Sequence, residues 1–234
     1  MRSLRFRPVA SRPTNGLALI YDLEGFSRFF NQPDVQDYVP RFLNHVSDAV
    51  GACLYGGTQY WLSINKDMSC PTCLPVHEKF LGDGALYIWL DQPEAPITPG
   101  FVRMLCNRLW NLKKGFPDVA KRSLDDVPVA DVPMRIRFGF ARGTIYELAS
   151  EEADRKEYIG FCINLASRLQ KYCPELGFIA SARVGLTEAE LTKHGYVRTI
   201  AKSIQGFPRE VIIVDKKEFA KLSPTVRDSL FESV

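Results

Sequence analysis

An apolar strand that runs straight into an acid is the strongest constraint in this sequence. Gly16-Leu17-Ala18-Leu19-Ile20-Tyr21 is nearly all hydrophobic, and Asp22 ends it. Such a run reads as a buried strand. Val76 to Leu81 and Ala85 to Leu90 read as two further strands around Gly82-Asp83-Gly84, a hairpin signal. Between these pieces, Val35, Tyr38, Val39, Phe42, Leu43, Val46 and Val50 follow helical spacing. Pro40 either kinks that helix or starts a second one. Gly56-Gly57 breaks the chain, Gln59 to Ile64 predicts a strand, and Asn65 to Pro75 predicts a loop.

After the hairpin, the proline-bearing residues 91–100 form a connection. Phe101, Met104, Leu105, Leu109 and Leu112 predict an amphipathic helix, and the polar residues 115–133 a loop. Met134 to Ala141 alternates as a strand, Ile163 to Tyr172 repeats as a helix, and Phe178 to Ser181 is a short strand. Thr187 with Glu190 makes a capping box, Gly195 stops that helix, and Glu210 to Val214 is a last strand. The close hairpin and the mixed order predict an α+β fold with helices packed on one sheet.

Composition narrows the class. Of 234 residues, 46% are hydrophobic and 24% charged, which excludes a disordered chain, a collagen-like repeat and a coiled coil. The length suits one domain, placed here at 16–234 behind a basic arm, 1–15, that carries Arg2, Arg5, Arg7 and Arg12. The net charge, 30 − 27 = +3, is too mild to argue for nucleic acid. The arm lacks the apolar run of a signal peptide, and no stretch approaches the ~18 apolar residues of a membrane span. Six cysteines without a secretory signal predict reduced thiols and a cytoplasmic location.

Asp22 and Asp83 stand out by their settings. If their strands are neighbours, both carboxylates project from one sheet edge. There they can hold Mg²⁺ together with substrate phosphates, because Mg²⁺ takes few protein ligands. Gly25 permits close backbone approach, and the amides of residues 23–27 would face phosphate as a helix begins. Asp83 equally suits a plain hairpin turn, and Asp22 a helix cap. Asn164 and Arg168 lie four apart, on one helical face. Such a pair can orient a sugar and neutralise phosphoryl charge, or can simply be a solvated polar face.

Together the pieces form an ordered set. Asp22-Leu23-Glu24-Gly25-Phe26-Ser27 resembles the first metal-aspartate motif of class III nucleotide cyclases. Gly56-Gly57-Thr58 and Glu78-Lys79-Phe80-Leu81-Gly82-Asp83-Gly84 resemble the second. Arg137-Phe138-Gly139-Phe140-Ala141-Arg142-Gly143 resembles the next strand and turn, and the run Tyr158 to Leu169 the family's Asn–Arg helix. Gln205-Gly206-Phe207-Pro208 resembles the segment before the last strand, so the resemblance spans roughly residues 16 to 214.

The resemblance implies a ferredoxin-like βαββαβ core and a head-to-tail homodimer with shared active sites. It implies two divalent metal ions, Mg²⁺ or Mn²⁺, held by Asp22 and Asp83, with the Leu23 backbone carbonyl as a further ligand. Gly25, Phe26 and Ser27 would bind phosphate. Asn164 would orient the ribose and Arg168 would stabilise the α-phosphate, both from the other subunit. Lys79 and Glu157 fall on the base-reading positions.

In adenylate cyclases that pair is typically Lys with Asp or Thr, and in guanylate cyclases Glu with Cys or a similar small residue. Lys79 speaks against guanine, and Glu157 is one methylene longer than the adenine pattern. It either crowds out a purine and reaches a pyrimidine, or simply substitutes for Asp. An insertion, Trp61 to Pro75, and the long stretch Glu147 to Lys156 are further departures. A single-domain cyclase with these features resembles the bacterial anti-phage (Pycsar-type) pyrimidine cyclases. That branch implies conversion of UTP, with CTP second, to the cyclic monophosphate, a messenger for a separately encoded effector. Aromatics near Tyr55 and Tyr60 could shorten the base pocket, or be buried in the hairpin core.

Thr144 stands where some relatives carry an arginine, and Gln205 and Phe207 near a lysine used by others. Arg142, Lys202 and Arg209 are the candidate replacements for terminal-phosphate binding. Cys70-Pro71-Thr72-Cys73 with His77 has half the spacing of a zinc site, with Cys53 or His45 as the nearest further ligands; incidental thiols are the plainer reading. Adenylate cyclase is the nearest alternative function. A catalytically inactive cyclase-like domain that binds nucleotide or a partner is the alternative of another class.

Overall fold

The computed structural model describes residues 5–61, 66–151 and 156–233. The chain lays down β1 (Pro13–Glu24), α1 (Phe26–Phe30), α2 (Val39–Tyr55), β2 (Gly57–Gln59), β3 (Lys66–Met68), β4 (His77–Phe80) and β5 (Gly84–Leu90). It continues with α3 (Pro99–Ser123), β6 (Arg135–Ala149), β7 (Lys156–Gly160), α4 (Phe161–Tyr172), β8 (Phe178–Ser181) and α5 (Glu188–His194). The last part is β9 (Tyr196–Ile204), β10 (Phe207–Asp215), α6 (Lys216–Lys221), α7 (Pro224–Leu230) and β11 (Phe231–Glu232).

One nine-stranded sheet carries the fold, in the order β11-β9-β10-β8-β6-β1-β5-β4, with β7 added to β6. Its neighbours are antiparallel except β6 and β8, which run parallel. The segment β1-α2-β4-β5-α3-β6, with strand order β6-β1-β5-β4, is the βαββαβ core that the resemblance implies. β2, just before the Trp61–Pro75 region, and β3, within it, form a separate two-stranded ribbon; residues 62–64 of the expected Gln59–Ile64 strand lie outside the described residues.

The apolar run explains the position of β1. Leu17, Leu19, Tyr21 and Leu23 face one cluster with α2 and α3 residues such as Phe42, Val46, Leu105 and Leu109. Ala18 and Ile20 face the other cluster, with Cys162, Leu165, Ala166 and Leu169 of α4. A strand buried on both faces has no polar side to present, so its sequence cannot alternate.

α4 lies unusually close to β6, because Gly139 has no side chain. A Cβ there would sit 2.0 Å from the Ala166 carbonyl oxygen. Any larger residue would push α4, and with it Asn164 and Arg168, off the sheet.

Several elements differ from expectation. α3 runs through residues 115–123, where a loop is predicted. Phe116, Val119 and Ala120 are buried and continue the helical stripe, so packing outweighs the lost hydrogen bond at Pro117. Pro40 does start a helix, as one of the first residues of α2. β6 extends well past Ala141 and pairs with β7, which takes up Glu147–Ala149 and Lys156 of the stretch Glu147–Lys156; residues 152–155 are not described. β9, β11, α6 and α7 carry no strong sequence signal. The capping box of α5 and its Gly195 stop are as predicted. β1 begins at Pro13, and the chain before it lies along the far end of β6: Phe6 bridges Ser150, and the Arg7 amide donates to the Ala149 carbonyl.

Candidate active site

The two aspartates meet at one sheet edge. β1 and β5 pair with Asp22 opposite Gly84, so Asp83 in the preceding turn lies beside Asp22. The Leu23 amide donates to the Asp83 carbonyl at 3.0 Å and fixes the turn to the strand end. Gly84 is required here, since a Cβ would fall 1.9 Å from the Tyr21 carbonyl oxygen.

On the other side of β1, Asp22 pairs in register with Arg137 of β6. The guanidinium donates to both carboxylate oxygens, Nε to Oδ1 at 2.9 Å and Nη2 to Oδ2 at 2.8 Å. The Asp22 and Arg137 side chains are only 14% and 18% exposed, so the contact is well shielded from water. These hydrogen bonds hold the Arg137 guanidinium above its ordinary pKa, with Glu24 and Asp83 adding to the effect.

Arg137 touches the candidate site residue Asp22, a contact that the sequence reading does not contain. In the sequence it stands as one of two arginines alternating with Ile136 and Phe138 and as the first residue of the run Arg137 to Gly143, with no role attached. Its partner follows from register, which no single segment specifies.

The chain turns from Glu24 through Gly25 into α1. The Arg28 and Phe29 amides donate to the Gly25 carbonyl. The amides of Phe26 and Ser27 come before the first intrahelical hydrogen bonds, as helix starts leave them. The turn is flanked by two ion pairs, Arg28–Asp131 at 2.7 Å and Arg135–Glu24 at 3.2 Å.

The expected base-reading residues also meet. Lys79 Nζ donates to Glu157 Oε2 at 2.8 Å, joining β4 to β7. Lys79 shares a strand face with His77, whose ring lies 4.9 Å from that of Tyr158. Glu78 points to the opposite face of β4. There it accepts from the Tyr55 hydroxyl at 3.1 Å and the Tyr87 hydroxyl at 3.0 Å. Burial, and then Glu78, push Tyr55 up to about 12, so it stays a donor. Tyr55 and Tyr60 are half-exposed rather than buried in a hairpin core, and Tyr55 lies on the face of β4 away from Lys79.

Asn164 and Arg168 share the exposed face of α4, with Cys162, Leu165, Ala166 and Leu169 buried beneath. The three candidate replacement cations are engaged elsewhere. Arg142 pairs with Asp91 at 2.9 Å and Arg209 with Glu232 at 2.7 Å, while Lys202 donates to the Asp228 carbonyl.

The residues fit a divalent cation at the Asp22–Asp83 edge. Two carboxylates of one strand end and its neighbouring turn are the donor set Mg²⁺ takes when phosphate supplies the rest. A guanidinium already holds both oxygens of Asp22, which shows that this edge attracts a cation in the chain itself. Among the described residues no group of three or more His, Cys, Asp or Glu side chains could hold a metal by itself, at this edge or around Cys70, Cys73 and His77. Cys73 Sγ instead lies against the Ala95 carbonyl, Cys53 against that of Arg108, and His45 pairs with Asp126. No helix among the described residues is long and apolar enough to cross a membrane.

The sequence matches no protein-family model, and no curated protein matches it. Solved structures do. The adenylyl cyclase CyaB from Pseudomonas aeruginosa superposes with a TM-score of 0.61 at 17% identity, over 88% of this chain and 96% of that one. The guanylyl cyclase Cya2 gives 0.56 at 15% identity, over 88% and 93%. A class III adenylyl cyclase-like ATP-binding protein from Pseudomonas aeruginosa gives 0.51 at 16% identity, over 75% of this chain and 34% of that one. The chain therefore has the fold of the class III nucleotide cyclase catalytic domains.

Proposed function

We propose that this chain is a nucleotide cyclase that converts a pyrimidine nucleoside triphosphate to its 3′,5′-cyclic monophosphate and pyrophosphate. UTP is the first substrate and CTP the second. The product would be a messenger of anti-phage defence, read by a separately encoded effector. The observation that carries the cyclase reading is the position of Asp22, opposite Gly84 at the end of β1, next to the turn that holds Asp83.

In the reaction the ribose 3′-oxygen attacks the α-phosphorus, pyrophosphate leaves, and the 3′-hydroxyl loses its proton. Two divalent ions, when bound, supply Lewis-acid activation of that hydroxyl and charge neutralisation at the phosphates. Asp22 and Asp83, with the Leu23 carbonyl, would hold them. Gly25 lets the backbone approach, and the Phe26 and Ser27 amides would donate to phosphate oxygens. Arg137, which donates to both oxygens of Asp22, would be free to serve as a cation for the triphosphate if Asp22 held a metal ion instead. Arg168 would face the charge developing at the α-phosphate, and Asn164 would fix the sugar. Both would come from the second subunit of a homodimer.

Base choice rests on Lys79 and Glu157. Uracil presents a carbonyl, an imide N–H and a second carbonyl along its pairing edge. Lys79 has only donors and serves a carbonyl; Glu157, ionised, has only acceptors and takes the imide proton. Cytosine gives its amino group to Glu157 and its carbonyl to Lys79. The 2.8 Å contact between the two side chains supports a joint role, because both reach one point.

Adenylate cyclase is the second reading, favoured by the likeness to an adenylyl cyclase. A third reading, a domain that binds nucleotide without cyclising it, has a neighbour described as an adenylyl cyclase-like ATP-binding protein. The test is product identification from equimolar ATP, GTP, CTP and UTP with Mn²⁺. Cyclic UMP is expected. Mainly cyclic AMP would install the adenylate reading, and no cyclic product from any of the four would install the inactive one.

A further inference from the structure

We infer that His77 is a specificity-determining residue: with Tyr158 it forms the wall of the base subsite one rung behind Lys79 and Glu157, and so selects a single six-membered ring over a fused purine. The inference rests on the reading of Lys79 and Glu157 as the base-reading pair.

The argument starts from strand alternation. On β4, His77 and Lys79 lie opposite Ile88 and Leu86 of β5, which belong to the α4-side core. Glu78 lies opposite Tyr87 and points the other way. His77 and Lys79 are thus consecutive side chains on one face, about 6.8 Å apart along the strand. Residues of β7 meet both. Glu157 takes Lys79, and the Tyr158 ring packs on the His77 ring at 57° between planes. On β4 the two contacts are next to each other, His77–Tyr158 after Lys79–Glu157, although β4 and β7 are not paired strands and Glu157 and Tyr158, consecutive on β7, leave that strand toward opposite faces. A base held by the Lys79–Glu157 rung has the ring pair as its next neighbour.

The wall is firmly held. Tyr158 is buried in the α4-side core, and its hydroxyl donates to Glu147 at 3.1 Å. Moving it would break both its packing and that hydrogen bond. His77 is the freer half of the pair, on an edge strand and only partly buried. Burial also lowers the His77 pKa, with Lys79 acting in the same direction and Glu157 against it. The ring therefore stands beside Lys79 as a neutral aromatic surface and adds no second cation. A wall of that kind discriminates by shape: a pyrimidine ends before it, while a purine's second ring needs the space it fills. Shape discrimination of this sort is worth about 10–200-fold.

The experiment is the same four-nucleotide competition with Mn²⁺, run on the wild-type protein, His77→Ala, His77→Val and His77→Phe. The readout is the ratio of cyclic purine to cyclic pyrimidine product, with kcat/KM for ATP and UTP measured separately. His77→Ala should raise that ratio about ten-fold or more, through a higher kcat/KM for ATP. His77→Val, whose branched side chain suits an edge strand, should move it the same way and covers the case of a poorly folded alanine variant. His77→Phe restores a ring and should keep the wild-type ratio. A general structural role would lower all four products together and leave the ratio fixed. A ratio within two-fold of wild type in both active small variants overturns the inference while leaving the pyrimidine reading intact. A wild-type protein that makes mainly cyclic AMP, or no cyclic product, overturns that reading and this inference with it.

Discussion

The edge that carries Asp22 and Asp83 and the rungs that carry Lys79 and Glu157 are built differently. β1 is paired on both sides, by β5 and β6, and buried on both faces. Its end is locked by the Leu23–Asp83 hydrogen bond and the Asp22–Arg137 ion pair. The Lys79–Glu157 and His77–Tyr158 contacts join β4, an edge strand, to β7, which among the described residues pairs with β6 alone. Lys79 is 46% exposed. The central strands are held wherever the whole core is held. The outer ones can change side chains, or take up the Trp61–Pro75 insertion, without disturbing that core. Chemistry common to a fold belongs at the first place, and substrate choice at the second.

The comparison makes its strongest demand on the aspartates. Asp22→Asn or Asp83→Asn should reduce cyclisation by about three orders of magnitude or more, since loss of a carboxylate removes metal activation. The fold should survive, as judged by an unchanged circular dichroism spectrum. Activity near wild type in either variant, with Mn²⁺ present, would remove this edge from the mechanism.

Next in size is a recovery. Asp22→Asn and Arg168→Ala should each be inactive alone. Co-expressed with different tags and purified as the mixed dimer, they should regain about half the activity of wild type, because one of the two interfaces then holds both intact halves. Failure in verified mixed dimers would argue against sites shared between chains, and an active monomer would refute them.

The base rungs should give a smaller and more selective effect. Glu157→Ala should lower kcat/KM for UTP by about 10²-fold, in the range expected when a substrate N–H loses its buried partner. The Mn²⁺ concentration for half-maximal activity should stay within two-fold of wild type. A large shift in metal dependence would mean that the two regions are coupled after all.

Stability tests the lock itself. Arg137→Ala leaves a shielded carboxylate without its bidentate partner and should cost roughly 1.5–3 kcal/mol, several degrees in Tm. Added Mg²⁺ should restore part of that loss, because it gives Asp22 another cation. A variant as stable as wild type would mean that the ion pair contributes nothing to the edge.

The same contrast governs what the sequence makes legible. Continuous apolar runs such as 16–21 and the Gly82-Asp83-Gly84 turn are local signals, so β1, β5 and their carboxylates can be read directly. The capping box at Thr187 is local too, and it reads correctly. Arg137 could not be found this way, because its importance lies in facing Asp22 across a strand pair of 115 residues' separation. The continuation of α3 through Pro117 escaped because proline signals a break while buried Phe116 and Val119 overrule it. The His77–Tyr158 contact links an edge strand to β7 far along the chain, and no local pattern in the sequence marks it. Long-range pairing, rather than residue type, is what a linear reading lacks.

The most direct measurement of the central claim is the stoichiometry of products from UTP and Mn²⁺, with wild type and Asp83→Asn side by side. Cyclisation at the Asp22–Asp83 edge predicts one cyclic UMP for each pyrophosphate from the wild-type protein, and neither from the variant. Release of orthophosphate or linear UMP, or equal product from Asp83→Asn, would contradict it.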